Sequence, residues 1–346
     1  MKKRILTITK YLFFLALGIF LVWFSVKDFT EKDKQDFFAS VQAADYKWIF
    51  LSIFLGILSH ISRAIRWIML MEPVGYTPGR ANTFFAVMVG YLANFAFPRL
   101  GEVTRCGVLS KYEKIPFPVA FGTVIAERAV DLICLGIIFL VTFFSMFDSI
   151  YGLTDAYILT PLAEKLGRIA GTPLLFWGII GSLAAIVFLF LLLRNKIGGM
   201  LSGKVKEMLK GFWTGLMSIR KMRSPGMFIA HTIFIWVMYY TMLHVCFFSF
   251  EETSGMSIGQ GMTVLIMGAV GIMFTQGGIG AYHFLVSKTL TSSLAGISIP
   301  VAGAFSWVVW ASQFVTILLT GVISLILLPI LNREQGTGNR EQEKGT

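Results

Sequence analysis

Long, unbroken apolar runs constrain this chain more than any other feature of it. Six of them, at about 6–26, 48–71, 117–147, 173–193, 226–250 and 301–329, each supply the roughly 20 apolar residues an α-helix needs to cross a bilayer. Helices and closed barrels are the chain forms that leave no backbone polar group unpaired in lipid. Barrel strands would read as short alternating segments, so the runs predict an all-α polytopic integral membrane protein. Composition agrees, with 55% of residues hydrophobic and 14% charged. A soluble domain carries about a quarter charged residues, which excludes a soluble enzyme and a disordered chain alike. The first run is too long for a cleavable signal core and is expected to be a signal anchor.

Two further apolar segments are interrupted. Residues 81–110 run into Pro98, Arg99, Gly101 and Glu102, and residues 258–292 run into Gln276, Gly277, Gly278 and Gly280. Each is either two crossings or a re-entrant hairpin that leaves by the face it entered. The excess of Lys and Arg on cytoplasmic loops separates these readings. With both segments as hairpins and the N-terminus inside, the cytoplasmic pieces hold 18 basic and 6 acidic residues, and the outer pieces 6 basic and 10 acidic. A full crossing at the first segment would instead put loop 194–225, with eight basic residues against Glu207, on the outside. The charge pattern therefore predicts six full transmembrane helices plus two re-entrant hairpins of opposite orientation. That is the plan of an inverted repeat, in which broken helices gather a site at the bilayer midplane. Residues 1–330 form a single transmembrane domain, with 194–225 as a basic cytoplasmic loop. Within it, 199–222 fits an amphipathic helix on the inner leaflet as well as it fits an ordinary basic loop. Residues 331–346 are polar and expected to be a disordered cytoplasmic tail. Both termini are then cytoplasmic, in a bacterial inner membrane.

Nine charges remain at membrane depth: Arg63, Arg66, Arg99, Arg105, Arg128, Lys288, Glu102, Glu127 and Asp131. An intramembrane charge costs roughly 2.5–3.5 kcal/mol on insertion scales, so such residues pair, snorkel or line a polar cavity. Eight of the nine fall in three consecutive segments, which points to one shared site. Arg63 and Arg66 are three apart on one helix face, and Arg66 is close enough to the cytoplasmic end to snorkel. Pro98 ends one helix, Gly101 permits close approach, and the chain beyond restarts with amides directed into the membrane. Arg99 adds a fork suited to phosphate. Glu102 and Arg105, three apart, are placed to pair with each other. Glu127 and Asp131 share a face with Arg128 beside them, and either neutralise the arginines or serve as protonation sites. The surplus of arginine favours an anionic ligand. In the second hairpin, Gln276, Tyr282 and His283 are candidates for neutral hydrogen bonds to a headgroup. The four histidines and three cysteines show no metal-ligand spacing, and neither a nucleophile elbow nor a P-loop is present. No metal, cofactor or nucleic acid is expected.

These residues together resemble one family. Arg63, Arg66 and Trp67, the run Asn94, Pro98, Arg99, Gly101, Glu102 and Arg105, then Glu127, Arg128 and Asp131, and last Gly277, Gly278 and Gly280 are similar to the flippase-like transmembrane domain of lysylphosphatidylglycerol synthases and its stand-alone relatives. The resemblance covers about residues 5–330. It implies that the charged residues line a lipid cavity and that the domain moves lipid between leaflets. In full-length synthases an aminoacyl-transferase domain follows. This chain shows no such segment, so aminoacyl-lipid synthesis is not implied. Relatives often carry Pro before the paired glycines and Glu three residues after the last one, where this sequence has Gln276 and His283.

The leading expectation is a flippase or scramblase for an anionic phospholipid or polyprenyl-phosphate lipid, with membrane lipids as its partners. A membrane-embedded lipid transferase using Glu127, Asp131 or His283 is the alternative from another class. A non-catalytic lipid-binding subunit of an envelope enzyme is a third, and a homo-oligomer is compatible with each.

Overall fold

The structure, a computed structural model, describes residues 23, 30–96, 100–145, 222–292 and 294–333. The first apolar run apart from residue 23, the run at 173–193, loop 194–225 up to residue 221, the tail from residue 334, Pro98 and Arg99 all lie outside the described residues. Those that are described form helices and contain no strand. In chain order they are α1 (Glu31–Ala43), α2 (Tyr46–Met71), α3 (Arg80–Ala96), α4 (Leu100–Tyr112), α5 (Phe117–Ser145), α6 (Pro225–Phe247), α7 (Ile258–Phe274), α8 (Ala281–Thr291) and α9 (Ile299–Leu331). Three of these, α2, α6 and α9, are long and apolar enough to cross a membrane. Helix α5 has the length, at 29 residues, and carries Glu127, Arg128 and Asp131 within it.

Local signals set the helix starts. Asp45 caps α2 by accepting from the Lys47 amide. Ser257 and Gln260 form a reciprocal capping box at α7, as Thr30 and Asp33 do at α1. Pro225 and Pro300 sit in the first turns of α6 and α9, where a missing N–H costs nothing. Helix α1 falls in a stretch that sequence patterning left as an outer loop. It docks its Phe37 and Val41 against the core beside α9.

One arrangement occurs twice: a long helix, a pair of short helices, then a long helix. The first set is α2, α3–α4 and α5, and the second is α6, α7–α8 and α9. Helix α2 packs along α6, while α9 crosses to α3 and α5 crosses to α7. Each set thus closes against the first short helix of the other.

The short helices pack against each other in pairs. At about 1.5 Å per residue, α3 and α7, of 17 residues each, reach about 25 Å, short of the ~30 Å hydrocarbon core. Glycines hold the arms together. A Cβ on Gly101 would overlap the Gly90 carbonyl oxygen, and one on Gly271 would lie 2.7 Å from the Tyr282 Cα. The side chain of Asn94 closes the first hairpin by accepting from the Gly101 amide at 2.7 Å.

Helix α9, 33 residues long, acts as a ruler for both hairpins. The base of the first is tied to its C-terminal end, where Asn82 exchanges hydrogen bonds with Asn332 and donates to Glu113. Farther along, Leu92 lies against Gly321, and Phe95 meets Phe314 at 5.0 Å between ring centroids. The second hairpin starts from the opposite end. Glu252 holds the Ser298 amide and hydroxyl there, and Ser287 bonds Ser306. The tips meet near the middle, where Phe95 presses on Gly277 and Trp310 Nε1 donates to the Gly277 carbonyl at 2.8 Å. The two hairpins therefore run toward each other along one helix.

This packing makes Gly101→Ala costly, by about 1–3 kcal/mol for forcing a methyl into a filled contact. Gly107, on the same helix with open space around it, should tolerate alanine or gain slightly. Unfolding of the two purified variants in detergent compares them directly.

Candidate functional site

Buried charge gathers where α2, α4, α5 and α6 converge. Arg63 and Arg66 are three residues apart on α2, and Glu127 and Asp131 are four apart on α5, so the two pairs face one another in register. Arg63 Nη1 donates to both carboxylates, reaching Asp131 at 2.8 Å. Arg66 Nη2 does likewise, at 2.6 Å to Asp131 and 3.4 Å to Glu127. A third arginine, Arg105 of α4, pairs with the other Glu127 oxygen at 3.0 Å. Glu127 is thus shared by three guanidinium groups, and both it and Arg66 are fully buried.

Neutral groups complete the cluster. Tyr239 and Thr232, seven residues apart on α6, accept from Arg63 at 3.1 Å and Arg66 at 3.3 Å. Arg105 lies over the Trp67 ring at 4.6 Å, and Trp67 in turn donates to Thr123. A separate pair, Arg128 with Glu102 at 2.6 Å, sits at the edge and is partly exposed.

Two readings of the sequence change here. Glu102 and Arg105 do not pair with each other. Glu102 faces Arg128 while Arg105 turns inward to Glu127, because a fully buried carboxylate attracts a guanidinium more strongly than a half-solvated one does. Nor does Arg66 snorkel: it is fully buried and doubly paired. Simple pairing, rather than free carboxylates, describes Glu127 and Asp131.

The remaining candidates sort by location. Gly101 is at the first hairpin's tip, beside a small cleft lined by Tyr91, Asn94, Glu102, Arg105 and Arg128. Gly277, Gly278 and Gly280 all have positive φ and form the second break, a geometry that L side chains rarely adopt. Tyr282 packs into the apolar core. His283 stacks flat on Trp307, at 3.9 Å between centroids, and its two ring nitrogens have no hydrogen-bond partner among the described residues. The Gln276 side chain and Arg99 lie outside the described residues. Lys288 is exposed in the last turn of α8, where a cation suits the helix dipole. His60 stacks on Tyr91, and His231 bonds Ser62. Sequence reasoning missed Tyr239 and Thr232, since a single polar residue on an apolar helix carries no charge signal. Their seven-residue spacing was the available cue.

Comparison with known proteins now bears on this geometry. Residues 11–321 match the lysylphosphatidylglycerol synthase transmembrane region. The chain belongs to that family. It is a membrane protein of that type. A UPF0104 membrane protein of Methanocaldococcus jannaschii is 34% identical over 88 residues, which are 25% of this chain and 26% of that one. The match thus spans about a quarter of the relative's length. No solved structure matches the chain.

Removing the Glu127 charge would leave buried Arg105 without a carboxylate and Arg63 and Arg66 sharing Asp131 alone. Glu127→Gln is expected to cost about 3–5 kcal/mol, the penalty of breaking a buried pair from one side. Glu102→Gln, at a partly exposed pair, should cost less than about 1 kcal/mol. Denaturation of both variants in mixed detergent micelles measures the difference.

Proposed function

We propose that this protein moves a phosphate-bearing lipid between the leaflets of the bacterial inner membrane, as a flippase or scramblase. The observation that carries this reading is the positive, buried ion-pair cluster beside the tip of a hairpin too short to span the bilayer. Four arginines face three carboxylates there among the described residues. Such a surplus at membrane depth suits an anionic headgroup whose acyl chains stay in lipid. Family membership supports the class of protein and leaves the cargo open.

In this reading α3–α4 is a re-entrant hairpin from the cytoplasmic face and α7–α8 its counterpart from outside, with both termini cytoplasmic. Their approach along α9 from its opposite ends supports that arrangement. Alternation arises from movement of one helix set against the other, which exposes the tip region to each face in turn. The cross-over packing of α9 on α3 and, less extensively, of α5 on α7 provides the contact surfaces for such a movement.

Reconstitution tests the proposal. Vesicles containing the protein and a fluorescent anionic phospholipid should give up inner-leaflet label to a membrane-impermeant quencher faster than protein-free vesicles do. Equal rates would overturn it, and appearance of a chemically altered lipid would favour a transferase instead. Topology has its own test: a cysteine placed in loop 194–225 should react with an impermeant reagent only from the cytoplasmic side.

A further inference from the structure

The cleft at the first hairpin tip has room for about one water molecule. Three helices wall it, with Tyr91 and Asn94 on α3, Glu102 and Arg105 on α4, and Arg128 on α5. Arg105, 4% exposed, spends Nη1 on Glu127 and lays its face on Trp67. Its Nε and Nη2 have no hydrogen-bond partner among the described residues. Glu102 gives Oε1 to Arg128 at 2.6 Å and keeps Oε2 buried, also without a partner among them. Unmet buried donors and acceptors forgo the hydrogen bonds that water supplies, so the closed cleft carries a standing cost that opening relieves.

Two ion pairs of unequal strength tie α4 to α5 across this cleft. The inner one joins buried Arg105 to fully buried Glu127 at 3.0 Å, and parting it would leave both charges uncompensated at depth. The outer one joins Arg128 to Glu102, side chains 43% and 22% exposed. A pair so placed adds little to stability and weakens as salt rises. It can therefore part while the inner pair holds. The α3 wall is fastened more firmly, because Gly101 meets the Gly90 backbone directly and its amide donates to Asn94. The seam closed by Glu102 and Arg128 is thus the weakest lip of the cleft.

We propose that the Glu102–Arg128 pair is a latch over this cleft, and that its parting admits water to the unpaired edge of Arg105 while Arg105 stays on Glu127. The structure shows the latched state. The inference rests on the lipid-transport reading and deepens it, since a cleft this small keeps the arginine cluster from any anion until the latch parts.

Thiol labelling of the full chain in detergent tests the latch without lipid. Val87 is 1% exposed and lines the cleft, so Val87→Cys places a small reporter there. Native Cys106 is fully buried in the core with Ala64 and Trp67 and reports loosening of the hairpin as a whole. A neutral, water-soluble methanethiosulfonate is the probe, and peptide mass spectrometry follows each cysteine separately. Arg128→Gln or Glu102→Gln, added to Val87→Cys, should speed labelling at position 87 about three- to fivefold. Arg128→Lys keeps a charge for a contact that is a single hydrogen bond, and should stay near the parent rate. Added salt should speed the parent and leave the Arg128→Gln variant unchanged. Cys106 should stay unreactive throughout. Unchanged labelling at position 87 in both Gln variants would overturn the latch. So would a salt-indifferent parent, a Lys variant as fast as the Gln one, or Cys106 accelerating in step with position 87. The two proposals fail separately. Labelling as expected in a protein that moves no lipid defeats transport alone, while lipid movement beside an unchanged labelling rate defeats the latch alone.

Discussion

Everything around the site depends on one carboxylate. Glu127 is fully buried at the point where α2, α4 and α5 meet, and it is the shared counter-ion of three arginines from two different helices. None of those arginines is stable at membrane depth alone, and the carboxylate is not either. Placed together they bind four helices into one unit, because the spare nitrogens of Arg63 and Arg66 reach α6 as well. The cluster also sets the orientation of Arg105. With its inner nitrogen held by Glu127 and its face on Trp67, the guanidinium has one remaining edge, and that edge adjoins the hairpin tip.

The first and second hairpins share a plan and differ in chemistry. Both are zipped by glycine and both end beside α9. The first presents charge: Glu102, Arg105 and Arg128. The second presents aromatic and glycine surface: His283 flat on Trp307, with Trp310 and Phe314 stacked at 5.2 Å next to it. This asymmetry puts the electrostatic work in one half of the molecule. The other half supplies a close-fitting partner, as the contact of Phe95 on Gly277 illustrates.

Much of this was legible in the sequence. The described helix ends fall within about three residues of the apolar runs, since lipid length and hydropathy fix them. Pro98 and the glycines at 277–280 marked both breaks. The intramembrane charges announced one shared site because uncompensated charges there are too costly to persist separately. Pairing partners were harder to read. Residues three apart on α4 looked like a local ion pair, yet Glu102 and Arg105 turn to different partners on α5, a choice made by burial rather than spacing. The roles of Tyr239 and Thr232 depend on α6 lying beside α2, a tertiary fact without a local signature. Helix α1 escaped notice because its charged face resembles a solvated loop, and only its packing on α9 reveals the Phe37 and Val41 side.

The meeting of the two tips near Trp310 has an electrical meaning. If water follows the hairpins inward from both faces, the insulating layer shrinks from the full bilayer to the few residues between Phe95 and Gly277. The membrane voltage would then drop across that short stretch instead of across some 30 Å of hydrocarbon. A headgroup carrying one negative charge would exchange about 2.3 kcal/mol per 100 mV in a single small displacement. On the proposed lipid-transport reading, the resting potential would thereby act on an anionic headgroup where the tips meet and bias the direction in which it travels.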